Sequence, residues 1–228
     1  MELSSTVSPR TAGTRLVLVP VGSLEQHGPH LPLDTDTVIA TAVAKCAAER
    51  LNAWVAPAIA YGSSGEHQSF PGTVSVGTEA LAHTVIELVR SMRTWAGRVL
   101  LVNGHGGNIT ALKRAVDQLT HEGHDVDWVA CRTEQEHGKS DLHAGFAETS
   151  LMLHLHPWDV RVDLAEVGDT RPLAETLPLM MSGGVAAVSA NGVLGDPTGA
   201  TAGWGAQLFE LMVTAVVAAA WPPVNAAP

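Results

Sequence analysis

The sequence predicts an α/β fold in three layers, a mostly parallel β-sheet covered by helices on both faces. Three observations predict it. Short continuous apolar runs recur, LVLVP at 16–20 and RVLLV at 98–102, as expected of strands buried on both sides. Segments with apolar residues at helical spacing separate them. Strands that alternate with helices in this way pair in parallel, because the crossover helix returns the chain to the same end of the sheet.

In chain order, residues 1–14 are polar and irregular and read as a flexible arm. Leu16–Pro20 reads as the first strand, followed by a Gly-, Pro- and His-rich loop from Gly22 to Pro32. Asp34, Thr35 and Asp36 offer N-caps for a helix running to Leu51, since short oxygen-bearing side chains satisfy the first free N–H groups. Trp54–Ile59 reads as a strand, YGSSGEHQSFPGT as a long loop, and Thr73–Val76 as a short strand. Leu81, Val85, Leu88, Val89 and Met92 mark a helix from Thr78 to about Trp95. Arg98–Val102 is a buried strand that runs into NGHGGN, with a helix over Ile109–Leu119 and a further strand over Asp127–Cys131. HAGFAETSLMLH at 143–154 is a loop entering a helix. Residues 157–198, rich in Gly and Pro, read as loop, and a last helix spans Ala200–Ala220. No repeat, low-complexity tract or linker interrupts residues 1–228, so one domain is expected.

Composition narrows the function. The chain has 228 residues, 46% hydrophobic and 16% charged, enough to bury a substantial core. Net charge is −10, from 23 acidic and 13 basic side chains, and that balance repels a nucleic-acid backbone. Cys46 and Cys131 lie far apart with no CxxC pattern and read as reduced thiols. MELSSTVSPR has no basic stretch followed by an apolar core, so no signal peptide is read. The apolar run Leu211–Trp221 is about half the ~20 residues that cross a bilayer, and no membrane partner is expected.

Three motifs carry potential chemistry. GSLEQHGPHLPLDTD at 22–36 holds Glu25, His27, His30, Asp34 and Asp36 within twelve residues. Glu25 and His27 are two apart, so in extended chain they share a side, just beyond a strand end where open α/β sheets bind ligands. Carboxylate with imidazole suits Zn²⁺, Mn²⁺ or Fe²⁺, and Asp36 could bridge two such ions. NGHGGN at 103–108 presents His105 at the same sheet edge; without a Walker lysine or a GxGxxG it is a poor phosphate cradle. DLHAGFAETS at 141–150 adds His143 and Glu148. GSSG at 62–65 is one residue short of the GxSxG of a serine hydrolase.

EQHGPHLPLDTD, GEHQSFPGT, NGHGGN, HAGFAETS and GVLGDPT, in this order, resemble the creatininase family across almost the whole chain. The resemblance implies an amidohydrolase with two divalent ions (Zn, Fe or Mn). It implies metal ligands at Glu25, His27, Asp36 and His105, with Asp36 shared. Creatinine-hydrolysing members carry a further liganding glutamate two residues after the second-motif histidine. Here that position is Gly107, which counts against creatinine and leaves Glu148 as the candidate ligand. His143 matches a histidine beside the substrate and is expected to protonate the departing amine. Glu66 and His67 are expected to touch substrate, and His30 to be structural. APAIAYGSSGEHQSFPGT and SGGVAAVSANGVLGDPT resemble a family member that removes the C-terminal dipeptide from a modified precursor peptide. A metal-bridging hydroxide, a cytoplasmic location and a homo-oligomer are implied with it.

Overall fold

The computed structural model describes residues 1–132 and 141–221. Four strands form one sheet: β1 (Leu16–Val21), β2 (Trp54–Val55), β3 (Arg98–Asn103) and β4 (Val126–Ala130). The order is β2-β1-β3-β4 and every pairing is parallel. Val17 pairs with Trp54 on one side and Val99 on the other, and Leu101 pairs with Trp128. Six α-helices lie among the described residues: α1 (Thr35–Leu51), α2 (Gly77–Met92), α3 (Ile109–His121), α4 (Phe146–Leu155), α5 (Leu173–Gly183) and α6 (Ala202–Ala220).

The period-two alternation of a strand sorts the core into two halves. Leu16 and Leu18 of β1 and Leu100 and Val102 of β3 face α1, α4 and α6, where Ile39, Val43, Met152, Leu208 and Val213 meet them. Val17, Val19 and Val21, with Val99 and Leu101, face α2 and α3 through Leu81, Val85, Val89, Leu112 and Leu119. Both faces of β1 and β3 are thus apolar, which is why these strands read as continuous hydrophobic runs.

Chain order places the functional loops. After β2 pairs on one side of β1, the chain crosses over and β3 pairs on the other. The loops leaving β1 and β3 therefore part at a switch point, where open parallel sheets leave a crevice at the carboxyl edge.

Several elements differ from the sequence expectation, each for a local reason. Residues 1–14 are a packed segment: the Val55 N–H donates to the Met1 carbonyl at 2.8 Å, Lys45 pairs with Glu2 at 2.7 Å, and Leu3 sits against the core. The strand expected over Trp54–Ile59 stops at Val55, because Pro57 has no N–H to give the ladder. Pairing resumes at Ile59, whose N–H donates to the Pro20 carbonyl at 2.9 Å. Thr73–Val76 contributes one antiparallel bridge, Leu24 to Val74. Within the expected loop, Leu173–Gly183 forms α5 in spite of Pro178 inside it. α6 starts far enough upstream of Leu211 to be 19 residues long and apolar, so by length and composition it could cross a bilayer. Here it packs against α4 and α1, burying Leu208, Met212, Val213, Val216 and Ala220.

At Gly205 α6 lies close against α4; a Cβ there would overlap the Ser150 carbonyl and crowd His154. Gly205→Ala is therefore expected to lower stability by about 1–3 kcal/mol, read as a lower denaturant midpoint at unchanged m-value. An unchanged midpoint would contradict this packing.

Candidate metal centre

The eight side chains singled out above, Glu25, His27, Asp36, Glu66, His67, His105, His143 and Glu148, meet in one cavity at the carboxyl edge of β1 and β3. Glu25 and His27 come from the loop after β1, His105 from the loop after β3, and Asp36 from the first turn of α1. Glu66 and His67 lie on a short 3-10 turn (Gly65–His67), and His143 and Glu148 flank the start of α4.

Asp36 stands in the middle. Its Oδ1 is 3.3 Å from His27 Nε2 and its Oδ2 is 3.2 Å from His105 Nδ1. Ser23 Oγ donates to Oδ2 at 2.7 Å and holds the carboxylate in place. Glu25 Oε2 lies 3.1 Å from His105 Nε2, and Oε1 lies 3.5 Å from His67 Nε2 and 3.7 Å from His143 Nδ1. Glu148 Oε2 is 3.8 Å from His27 Nε2 and accepts from the Ala144 N–H at 2.6 Å. Ala144, beside His143, has φ of 52°, a left-handed geometry unfavourable for a residue with a Cβ. The rings of His27, His143 and His67 follow one another with centroids 4.3 Å apart.

The charges in this cavity are incomplete as they stand. Glu25 is wholly buried and neither carboxylate oxygen accepts a hydrogen bond. An ionised group in that state costs several kcal/mol unless a cation compensates it. The histidines respond. Burial opposes a charge on His27, but Asp36, Glu148 and Glu25 outweigh it and raise the ring to about 10. Burial likewise opposes His105, and Glu25 and Asp36 carry it well above its ordinary value. Glu148 is raised to about 7, its burial outweighing the pull of His27. Asp36 is held well below the usual carboxylate range, His27 and His105 overcoming its burial.

This donor set suits divalent cations. His27 Nδ1 is 3.1 Å from the Glu25 carbonyl oxygen, which accepts only, so Nδ1 carries the hydrogen and Nε2 faces the carboxylates. A backbone acceptor behind the ring is the usual way a ligating histidine is oriented. Three donor groups each gather within 4.8 Å: Glu25 with His27 and Asp36, His27 with His143 and Glu148, and Glu25 with His67 and His143.

Gly107, the departure noted in the sequence, has a structural counterpart. A Cβ at Gly107 would overlap Glu66 Oε1, His105 Nε2 and the Ser63 carbonyl. The space above Gly107 is taken by Glu66, whose Oε1 is 3.5 Å from His105 Nε2. Its carboxyl is raised by burial, although the side chain is 31% exposed against 0% for Glu25. Glu66 is thus a further carboxylate, set at the mouth of the cavity.

The remaining candidates fall outside the cluster or fail chemically. His30 Nε2 pairs with Thr149 Oγ1 at 2.8 Å, tying the first loop to α4, and burial lowers it to about 4. Asp34 is the N-cap residue of α1 without a side-chain cap bond. Ser64 Oγ is 3.4 Å from His105 Nε2, and His105 reaches Asp36, which outlines a serine-hydrolase triad. The same carboxylates keep His105 protonated, so it has no lone pair with which to activate Ser64. Burial pushes the Cys131 thiol up to about 12, leaving no thiolate. Sequence reasoning missed Gln26 because strand alternation points it away from its neighbours. In the structure it is buried against His67 and His143.

A family model described as "Creatininase: Creatinine amidohydrolase" matches residues 3–220. The "Mycofactocin precursor peptide peptidase" of Mycolicibacterium smegmatis is 55% identical over 204 residues, covering 87% of this chain and 81% of the relative. The protein of the same description from Mycobacterium tuberculosis CDC 1551 is 52% identical, covering 97% and 92%. A solved structure named "Creatininase Mn" superposes with a TM-score of 0.80 at 28% identity, covering 97% of this chain and 99% of that one.

Two outcomes follow from the charges in the cavity. Zinc added to metal-free protein at neutral pH should displace about two protons, from His27 and His105, measured by calorimetry in buffers of different ionisation enthalpy; proton-neutral binding would contradict it. His27 is raised on folding, so its charge stabilises the metal-free fold below its ordinary 6.5, and that contribution is lost as pH rises through about 10. Gly107→Ala should push Glu66 aside and weaken zinc binding by roughly 10–100-fold, read in a chelator competition.

Proposed function

We propose, from the premise that the chain belongs to the creatininase family, that it is a two-metal peptidase trimming the modified C-terminal dipeptide from a mycofactocin precursor peptide. The chain is a hydrolase acting on C–N amide bonds, and the precursor peptide, the ion pair and the residue roles are the finer reading. The observation that carries it is Asp36, with one oxygen toward His27 and the other toward His105, beside the wholly buried Glu25 carboxylate.

Glu25, Asp36 and His105 would hold one ion, and His27, Asp36 and Glu148 the other, with Glu66 close to the first. Bound divalent ions supply a water nucleophile at neutral pH and polarise the scissile carbonyl. His143 handles the proton. Burial, with His27 and His67 beside it, keeps this ring well below its ordinary pKa, so it rests neutral. Its Nδ1 faces Glu25 and accepts the proton of the attacking water. The same proton passes to the amine nitrogen as the C–N bond breaks, which balances the hydrolysis. Glu66, part exposed at the mouth, and His67 behind it are placed to touch the peptide. A cytoplasmic location and a homo-oligomer belong to the same reading.

Gly107 supports a peptide over creatinine, because the position where creatinine-hydrolysing relatives carry a glutamate is closed here by Glu66. Metal-loaded protein should release a C-terminal dipeptide from the modified precursor and leave creatinine intact, followed by mass spectrometry. His143→Ala should lower kcat by roughly 10²–10⁴-fold with zinc stoichiometry unchanged, whereas Glu25→Ala should abolish both. Hydrolysis of creatinine alone would overturn the peptidase reading.

A further inference from the structure

Gln26 sits between Glu25 and His27 and has no role in the reading above, yet it is 6% exposed and every polar atom of its amide is engaged. Backbone groups of fixed polarity decide its orientation. The Gly28 N–H can only donate, and it lies 2.9 Å from Gln26 Oε1. The Gly192 carbonyl can only accept, and it lies 3.0 Å from Gln26 Nε2. The amide is therefore oriented without reference to either histidine. Two glycines make this possible: Gly28 has φ of 65°, and a Cβ at Gly192 would overlap the amide itself.

One amide hydrogen goes to Gly192, and the other points to His67 Nδ1 at 2.8 Å. That nitrogen must accept, so the hydrogen of His67 is on Nε2, the atom 3.5 Å from Glu25 Oε1. His143 is set by the main chain of the same residue, with its other nitrogen turned to Glu25. Its Nε2 is 2.7 Å from the Gln26 carbonyl oxygen, an acceptor, so Nε2 carries the hydrogen and Nδ1 presents a lone pair to the cavity. Gln26 Nε2 and His143 Nε2, 3.1 Å apart, are then two hydrogen-bearing nitrogens side by side with no bond between them. His143 is further held by Leu194, whose N–H donates to the His143 carbonyl at 2.8 Å.

We infer that Gln26 is a positioning residue that imposes the Nε2–H tautomer on both His67 and His143, through its side chain and its backbone respectively, and so turns opposite faces of the two rings, Nε2–H of one and bare Nδ1 of the other, toward Glu25. His67 accordingly gives the cavity a fixed hydrogen-bond donor, and His143 a fixed acceptor. The tautomers stand on hydrogen-bond polarity alone; their catalytic meaning rests on the amide-hydrolase reading. In that setting His67 Nε2–H donates to the peptide carbonyl oxygen or its amine while His143 Nδ1 takes the water proton. The two neutral rings do different work because one glutamine separates them.

The experiment is nitrogen NMR of histidine rings in metal-free, ¹⁵N-histidine-labelled protein, with the two rings assigned by His67→Gln and His143→Gln. His67 should show a protonated Nε2 and bare Nδ1, and His143 a protonated Nε2 and bare Nδ1 held by a carbonyl. Gln26→Glu keeps the length but removes the amide hydrogens. In that variant His67 should acquire a hydrogen on Nδ1, His143 should stay as it was, and kcat on the precursor peptide should fall roughly 100-fold with KM little changed. A wild-type His67 protonated on Nδ1, or a His143 protonated on Nδ1 alone, overturns the proposal. So does a Gln26→Glu spectrum identical to wild type. If Gln26→Glu does not fold, the wild-type spectrum decides. Correct tautomers in a protein that cleaves no peptide would sink the peptidase reading and leave this assignment standing.

Discussion

The structure depends on one constraint: a glutamate carboxylate wholly enclosed by protein, with no hydrogen bond to either oxygen. Glu25 can remain there only if positive charge lies beside it, and the fold gathers that charge from two separate parts of the chain, the loops after β1 and β3. Without ions, protons on His27 and His105 supply it; in the two-metal reading proposed above, the same nitrogens would be the ligands, and protons hold the places that cations would take.

The framework explains why these distant segments meet. Alternation along β1 and β3 divides the core between α1, α4 and α6 on one face and α2 and α3 on the other. Because both strands are buried on both sides, the polar residues of their loops can only project from the carboxyl edge. The crossover between β2 and β3 separates those two loops and leaves the crevice. α4 then brings Glu148 in from the side, backed by α6 at Gly205.

Much of this was legible in the sequence. LVLVP and RVLLV announced buried parallel strands, and the Glu25, His27 and Asp36 cluster followed one of them directly. Periodicity carried α1, α2, α3 and α6 to within a few residues. It failed for α5, where Pro172 and Pro178 masked a helix, and for β2, where Pro57 cut the ladder. The N-terminal segment looked like an arm because its pairing partner, Val55, is far away in sequence. Glu66 and Gln26 were harder still. The first fills a space that exists only because residue 107 lacks a side chain, and the second works through backbone polarity, which no residue pattern encodes.

Three of the rings are oriented by main-chain acceptors: the Glu25 carbonyl behind His27, the Gln26 carbonyl behind His143, and the Ser63 carbonyl 3.1 Å from His105 Nε2. Point substitution cannot delete a carbonyl. The hydrogens of these three rings are therefore inherited with the path of the chain, while that of His67 depends on a side chain. Around that fixed frame a side chain can occupy room that a neighbour vacates, as Glu66 does above Gly107, without disturbing the core of the centre.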